Sequence, residues 1–152
     1  MITTSYLGTI FTTDKFKICV DVAVKDLTAF GLDKFEAIAF TGVSGAALAF
    51  PLSYLLNKPL LCVRKETCNS HFITDSYNPS FVEGDAGTQS YIIVDDFITT
   101  GNTINYINRK ISDELGFNVK FIGYYLYKEC DEQREQFGFC IPVSHKNVPY
   151  KD

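Results

Sequence analysis

The stretch Tyr91-Ile-Ile-Val-Asp-Asp-Phe-Ile-Thr-Thr-Gly-Asn-Thr103 runs four apolar residues into two adjacent acids, then into small hydroxyl residues around a glycine. A short apolar run rich in β-branched residues suits a strand buried on both faces. The residues after it suit a helix: Ile104, Ile107, Ile111 and Leu115 recur at spacings of three and four, and Gly116 stands where a helix stop is expected. The stretch therefore reads as strand, loop, helix.

Working outward, the same alternation repeats. Glu36 to Thr41 is an apolar run that stops at Gly42. A helix comes next with Leu48, Leu52, Leu55 and Leu56 on one side, and then a strand at Leu60 to Val63. Pro51 falls inside that helix and is expected to kink it. Downstream, Val119 to Tyr127 reads as a strand, Asp131 to Gln136 as a short polar helix and Phe139 to Val143 as a last strand. Apolar strands alternating with helices predict an α/β fold, a Rossmann-like parallel sheet of about five strands flanked by helices. Ser5 to Val24, rich in Thr, Phe, Ile and Val and broken near Thr13-Asp14-Lys15, reads as two short strands, a small β hood within residues 1–30. Arg64 to Ser90 is mostly polar and is read as a long flexible loop, since compact domains rarely keep so long a connection without a function. With no repeat or low-complexity tract, residues 1–152 are taken as a single domain with its core at 35–128.

Composition excludes several classes. The chain is 46% apolar and 21% charged, ordinary for a globular protein, and its net charge is −4 without a basic cluster. Nucleic-acid affinity rests on neutralising phosphates with Lys and Arg, so no nucleic-acid partner is expected. The longest apolar stretch, Ala46 to Leu56, is about half of the roughly 20 residues a membrane span needs. Met1-Ile2-Thr3-Thr4 lacks a basic region leading into an apolar one, so no secretion signal is expected. The cysteines (Cys19, Cys62, Cys68, Cys130, Cys140) are odd in number and form no CxxC pair, which fits reduced thiols and a cytoplasmic location.

In open sheets of this class, ligands bind beyond the carboxyl ends of the strands. Residues Thr99 to Thr103 would lie at a helix N-terminus, where unpaired N–H groups and the helix dipole favour a phosphate. Charge-assisted hydrogen bonds there contribute about 1.5–3 kcal/mol each, against about 1 kcal/mol or less for the dipole, so the amides dominate. Gly101 lets backbone approach the phosphate, and Thr99, Thr100 and Thr103 offer hydroxyls. Asp95 and Asp96 are strong acceptors, suited to a vicinal diol or to the water shell of a magnesium ion. Taken alone, two acids at a strand end are more often structural.

The whole thirteen-residue string resembles the phosphoribosyl pyrophosphate (PRPP) signature of type I phosphoribosyltransferases, with Phe97 bulkier than the usual occupant. Thr41-Gly-Val-Ser-Gly45 is similar to that family's pyrophosphate loop, with Val43, Ser44 and Gly45 facing the pyrophosphate and the Val43–Ser44 peptide expected to be cis. Arg64 and Lys65 match an Arg-Lys pair that meets the pyrophosphate, and the polar stretch after them matches a loop that closes over the site. The resemblance covers roughly Phe35 to Lys128. It implies a pentosyltransferase that displaces pyrophosphate from the ribose through an oxocarbenium-like transition state. Mg2+ is the implied cofactor, PRPP and a nucleobase the implied small-molecule partners, and a homodimer the implied assembly.

On the accepted base, Thr99 stands where 6-oxopurine enzymes of the family carry an Asp and orotate enzymes a Thr. The N-terminal strands around Phe11 to Asp21 are also faintly similar to the base-covering segment of orotate enzymes. Both features favour an orotate-like arrangement. Cys68 occupies the place of a loop lysine in orotate enzymes, and His71 falls one position late with Phe72 in place of a glycine. Lys128 ends its strand as a base-contacting lysine does in purine enzymes, or simply as a solvated strand end; His145 reads as a surface residue. A purine phosphoribosyltransferase, and a non-catalytic regulator sensing PRPP or nucleotides, stand as alternatives.

Overall fold

A computed structural model describes residues 12–65, 80–98, 100–127 and 132–144. Five strands, β1 (Ala37–Phe40), β2 (Leu60–Val63), β3 (Val82–Glu83), β4 (Ser90–Asp95) and β5 (Lys120–Leu126), form one sheet in the order β3-β2-β1-β4-β5. All neighbours run parallel except β3, which pairs antiparallel with β2 at the edge. Three helices cover it: α1 (Thr13–Phe30), α2 (Gly42–Leu56) and α3 (Asn102–Leu115).

The central strands β1 and β4 are buried on both faces, as their continuous apolar sequence requires. Ile38, Phe40, Ile92, Val94, Tyr125 and Tyr127 point to one side and pack with Val20, Ala23 and Leu27 of α1 and Leu48, Leu52 and Leu56 of α2. Ala37, Ala39, Tyr91, Ile93, Tyr124 and Leu126 alternate to the other side and meet Ile104, Ile107 and Ile111 of α3. Leu55, read as part of the buried stripe of α2, is instead more than half exposed. The helix continues through Pro51 to Leu56.

Chain order changes direction at the centre of the sheet. From β1 the chain moves to β2 on one side, whereas from β4 it moves to β5 on the other. The adjacent carboxyl ends of β1 and β4 thus flank a topological switch point, the place where open α/β sheets bind ligands.

Three expectations need correction. The N-terminal hood of strands is not what residues 13–30 form: they are helix α1. Its content of Thr, Phe, Ile and Val suggested strands, but Val20, Ala23 and Leu27 make a helical stripe, and burying that stripe against α2 and the sheet overrides local β propensity. Residues 1–11, the rest of that hood, lie outside the described residues. The last strand at 139–143 reduces to a single parallel bridge, Cys140 to Tyr124, after a 3-10 helix at Glu132–Phe137. The fifth strand comes instead from within the long polar stretch, as β3.

Glu114 of α3 explains how that stretch rejoins the sheet. Its carboxylate accepts hydrogen bonds from the Ser80 hydroxyl and from the amides of Phe81 and Val82. Of the 64–90 segment, residues 66–79, which include Cys68 and His71, lie outside the described residues.

Candidate active site

Asp95 and Asp96 sit at the carboxyl end of β4, 6% and 4% exposed. The Asp95 carboxylate accepts a hydrogen bond from the Ser44 hydroxyl at 3.0 Å and from the Asp96 amide at 2.9 Å. Burial raises the Asp95 pKa to about 7; the neighbouring Asp96 carboxyl adds to the rise, while the Asp96 amide and the Ser44 hydroxyl pull it back. Asp96 Oδ2 is buried with no hydrogen-bond partner among the described residues. An orphaned carboxylate oxygen is costly unless something else meets it, which marks this oxygen as aimed at a ligand.

The Ser44 contact crosses the switch point, and the sequence explains why it forms. A Cβ on Gly45 would stand 3.0 Å from Phe40 Cβ and 3.1 Å from the Val94 carbonyl oxygen. Glycine therefore lets the first turn of α2 press onto β1 and β4, which brings Ser44 to Asp95. The expected cis peptide at Val43–Ser44 is corrected: every described peptide is trans. The loop turns at Gly42 instead, whose φ of +67° is the left-handed conformation glycine adopts without steric penalty.

Both helix N-termini at this end of the sheet are free of side-chain caps. Thr41 precedes α2, but its hydroxyl donates to the Val63 carbonyl at 2.6 Å and makes no cap bond. Gly101 precedes α3 with φ +79° and has no side chain to offer. The Asn102 amide meets the Thr100 hydroxyl only at 3.4 Å. Amides of the first helical turn lacking caps are receptive to anions. Thr100, Asn102 and Thr103 are exposed around this turn, while Gly101 is buried. Thr99 lies outside the described residues, as do Lys128 and His145.

The Thr41–Val63 bond holds the end of β1 beside the end of β2, from which the chain runs on to Arg64 and Lys65. Lys65 Nζ lies 3.9 Å from where a Cβ on Gly42 would stand, so a cation overhangs the Gly42 turn. Arg64 is partly buried and pairs with Glu83 of β3 at 2.5 Å. Its backbone is held on both sides: its amide donates to the Phe81 carbonyl, and its carbonyl accepts the Tyr106 hydroxyl. Val43 points outward, two-thirds exposed. The structure thus brings Asp95, Asp96, Ser44 and Gly45 together at the switch point, with Lys65 over the adjoining turn and the 100–103 loop leading from β4 into α3.

Sequence reasoning did not single out four residues of this region. Tyr127, buried just beyond β5, donates its hydroxyl to the Ser44 carbonyl at 2.7 Å. Phe137 packs its ring against Gly101. Glu83 holds Arg64, and Thr41 ties β1 to β2. Only strand alternation, which puts Tyr127 on the α2 face with Tyr125, offered any advance signal.

Among the described residues, no three His, Cys, Asp or Glu side chains gather as a metal cage. Two buried carboxylates, one with an unmatched oxygen, suit a Mg2+ ion, which keeps several waters and is commonly held by one or two carboxylates plus substrate phosphates. No helix among the described residues is long and apolar enough to cross a membrane.

No family model matches the chain. It is 31% identical over 116 residues to an adenine phosphoribosyltransferase of Agathobacter rectalis, a match covering 70% of this chain and 64% of that enzyme, less than two-thirds of its length. Among solved structures, an orotate phosphoribosyltransferase of Francisella tularensis superposes with a TM-score of 0.59 at 17% identity, covering 78% of this chain and 54% of the other. An adenine phosphoribosyltransferase of Thermoanaerobacter pseudethanolicus superposes with a TM-score of 0.56 at 21% identity, covering 88% and 80%. Those superpositions establish a shared fold, and the sequence relative together with the 91–103 string makes the chain similar to the type I phosphoribosyltransferases.

Proposed function

We propose that this protein transfers ribose 5-phosphate from PRPP to a nitrogenous base, releasing pyrophosphate. The observation that carries the reading is the meeting of the signature acids with the pyrophosphate loop across the switch point, through Ser44 and Asp95. In this reading Asp95 and Asp96 hold the ribose diol. The amides and hydroxyls of residues 99–103 cradle the 5-phosphate. The first turn of α2, from Val43 to Gly45, takes the pyrophosphate together with Arg64 and Lys65.

Positioning and electrostatics suffice for such a reaction, since the sugar carbon needs an aligned nucleophile and a neutralised leaving group more than it needs a strong acid or base. Magnesium, held through Asp95 or Asp96 and water, supplies positive charge against the diphosphate when bound. The 1–152 chain acts in this reading as one domain and as a homodimer.

On the acceptor, two observations diverge. Thr99 favours an orotate-like base, whereas the sequence relative is an adenine enzyme. The N-terminal strands expected to support the orotate reading are helix α1 over residues 13–30, so adenine enters on equal terms. Pyrophosphate release from PRPP and Mg2+ with orotate, uracil, adenine, hypoxanthine, guanine or xanthine decides between them. PRPP uptake without turnover of any base would select the regulator, and no PRPP uptake would remove the proposal altogether.

Arg64→Ala is expected to weaken pyrophosphate binding at least tenfold, the loss of one charge-assisted contact, while nucleoside monophosphate binding changes less than twofold. Titration calorimetry with each ligand checks this. Equal losses would remove Arg64 from the pyrophosphate site.

A further inference from the structure

The buried side chain of Tyr127 closes a ring of three hydrogen bonds among the ends of three elements. Its hydroxyl donates to the Ser44 carbonyl at 2.7 Å, in the first turn of α2. The Ser44 hydroxyl donates to Asp95 Oδ1 at 3.0 Å, at the end of β4. The Tyr127 amide donates to the Asp95 carbonyl at 3.2 Å, from just beyond β5. Every link joins residues at least 32 positions apart in sequence, as the residue numbers themselves give.

Among the described residues, no side-chain cap bond restrains that turn of α2. Thr41 makes no cap bond, Gly42 adopts a left-handed conformation and Val43 projects into solvent. The contact of Gly45 with Phe40 and Val94 sets how near α2 sits, but a glycine contact does not fix its rotation or slide. A buried phenol hydroxyl bonded to one carbonyl does fix them, because moving the turn would strand a polar group away from water.

We propose that Tyr127 is a positioning residue, whose hydroxyl holds Ser44 against Asp95 so that the pyrophosphate loop and the diol carboxylate act as one unit. The inference rests on the functional reading above and deepens it. It assigns to Tyr127 discrimination between two ligand classes: sugar phosphates carrying a diphosphate at C1, which touch both halves of the unit, and those with the diol alone, which touch only one.

The test is titration calorimetry of the full chain with Mg2+, using PRPP and ribose 5-phosphate as probes, on wild type, Tyr127→Phe, Ser44→Ala and the double variant. Tyr127→Phe keeps the ring and its packing and removes only the hydroxyl. The expected result is a rise in the PRPP Kd of about fivefold to tenfold, the loss of roughly one buried hydrogen bond. The ribose 5-phosphate Kd should stay within about twofold. In the Ser44→Ala background, Tyr127→Phe should change the PRPP Kd by less than about twofold, because coupled residues are not additive. Unchanged PRPP binding by Tyr127→Phe overturns the inference, and so do equal losses for both probes, which would mean general loosening. Wild-type protein that binds ribose 5-phosphate but not PRPP, or neither, overturns the functional reading and this inference with it. Wild-type binding of PRPP with an indifferent Tyr127→Phe overturns the inference alone.

Discussion

Replacing Asp95 and Asp96 together with asparagine is expected to abolish turnover without lowering the melting temperature. A hydrogen bond from a diol hydroxyl to a charged carboxylate contributes about 1.5–3 kcal/mol, so losing two costs on the order of 10²–10⁴ in rate or affinity. Stability should move the other way. An ordinary Asp titrates near ~3.9, whereas burial holds Asp95 at about 7. Between those values the folded protein keeps a proton that the unfolded chain has released, so stability falls as pH rises from about 4 through 7. Asparagine carries no charge at any pH and escapes that penalty. Scanning calorimetry at about pH 8, above both values, should show the double variant melting at or above the wild-type temperature, with the gain shrinking as pH falls and gone only near pH ~4. Collapse of the fold at both pH values would make the pair structural and remove it from the site.

Gly101→Ala carries the second large effect. The residue sits at φ +79°, where a Cβ costs about 1–2 kcal/mol. That Cβ would also stand 2.1 Å from Phe137 Cε1, so the ring must leave its place. Displacing a packed ring costs about 1–3 kcal/mol. Together these amount to about 2–5 kcal/mol, or a fall in Tm of roughly 5–20 °C for a chain of this size. Ribose 5-phosphate binding should drop at least tenfold, because the loop that presents the α3 amides is distorted. Adding Phe137→Ala removes the collision and leaves the backbone strain. The Gly101→Ala/Phe137→Ala double variant should therefore lose less than the sum of the two singles. Additive losses would show that ring and glycine do not share one cost.

How much of this was legible in the residues themselves varies along the chain. The 91–116 segment was, because its strand, turn and helix each depend on neighbours within a few positions: the β-branched run, the glycine at the turn and the three-four spacing of isoleucines. Observed β4 and α3 match that reading to within a residue or two, and Gly116 caps the helix as expected. The 13–30 segment was not. Its residues satisfy a period of two and a period of 3.6 at once, and only the presence of α2 and the sheet selects the helical stripe. β3 was equally hidden, since two residues carry no periodicity, and it forms because Glu114, more than 30 positions away, gathers the amides of Phe81 and Val82.

By itself, then, the sequence determined an α/β sheet with acids at the tip of a central strand and a glycine-bearing loop feeding a helix, because those features come from local backbone preferences and the burial of short apolar runs. Tertiary structure decided which faces meet. It put the Ser44 hydroxyl on Asp95, the Tyr127 hydroxyl on the Ser44 carbonyl, Glu83 on Arg64 and the Phe137 ring on Gly101. These contacts depend on distances between segments remote along the chain, and such distances are set only when the two buried layers pack against the sheet.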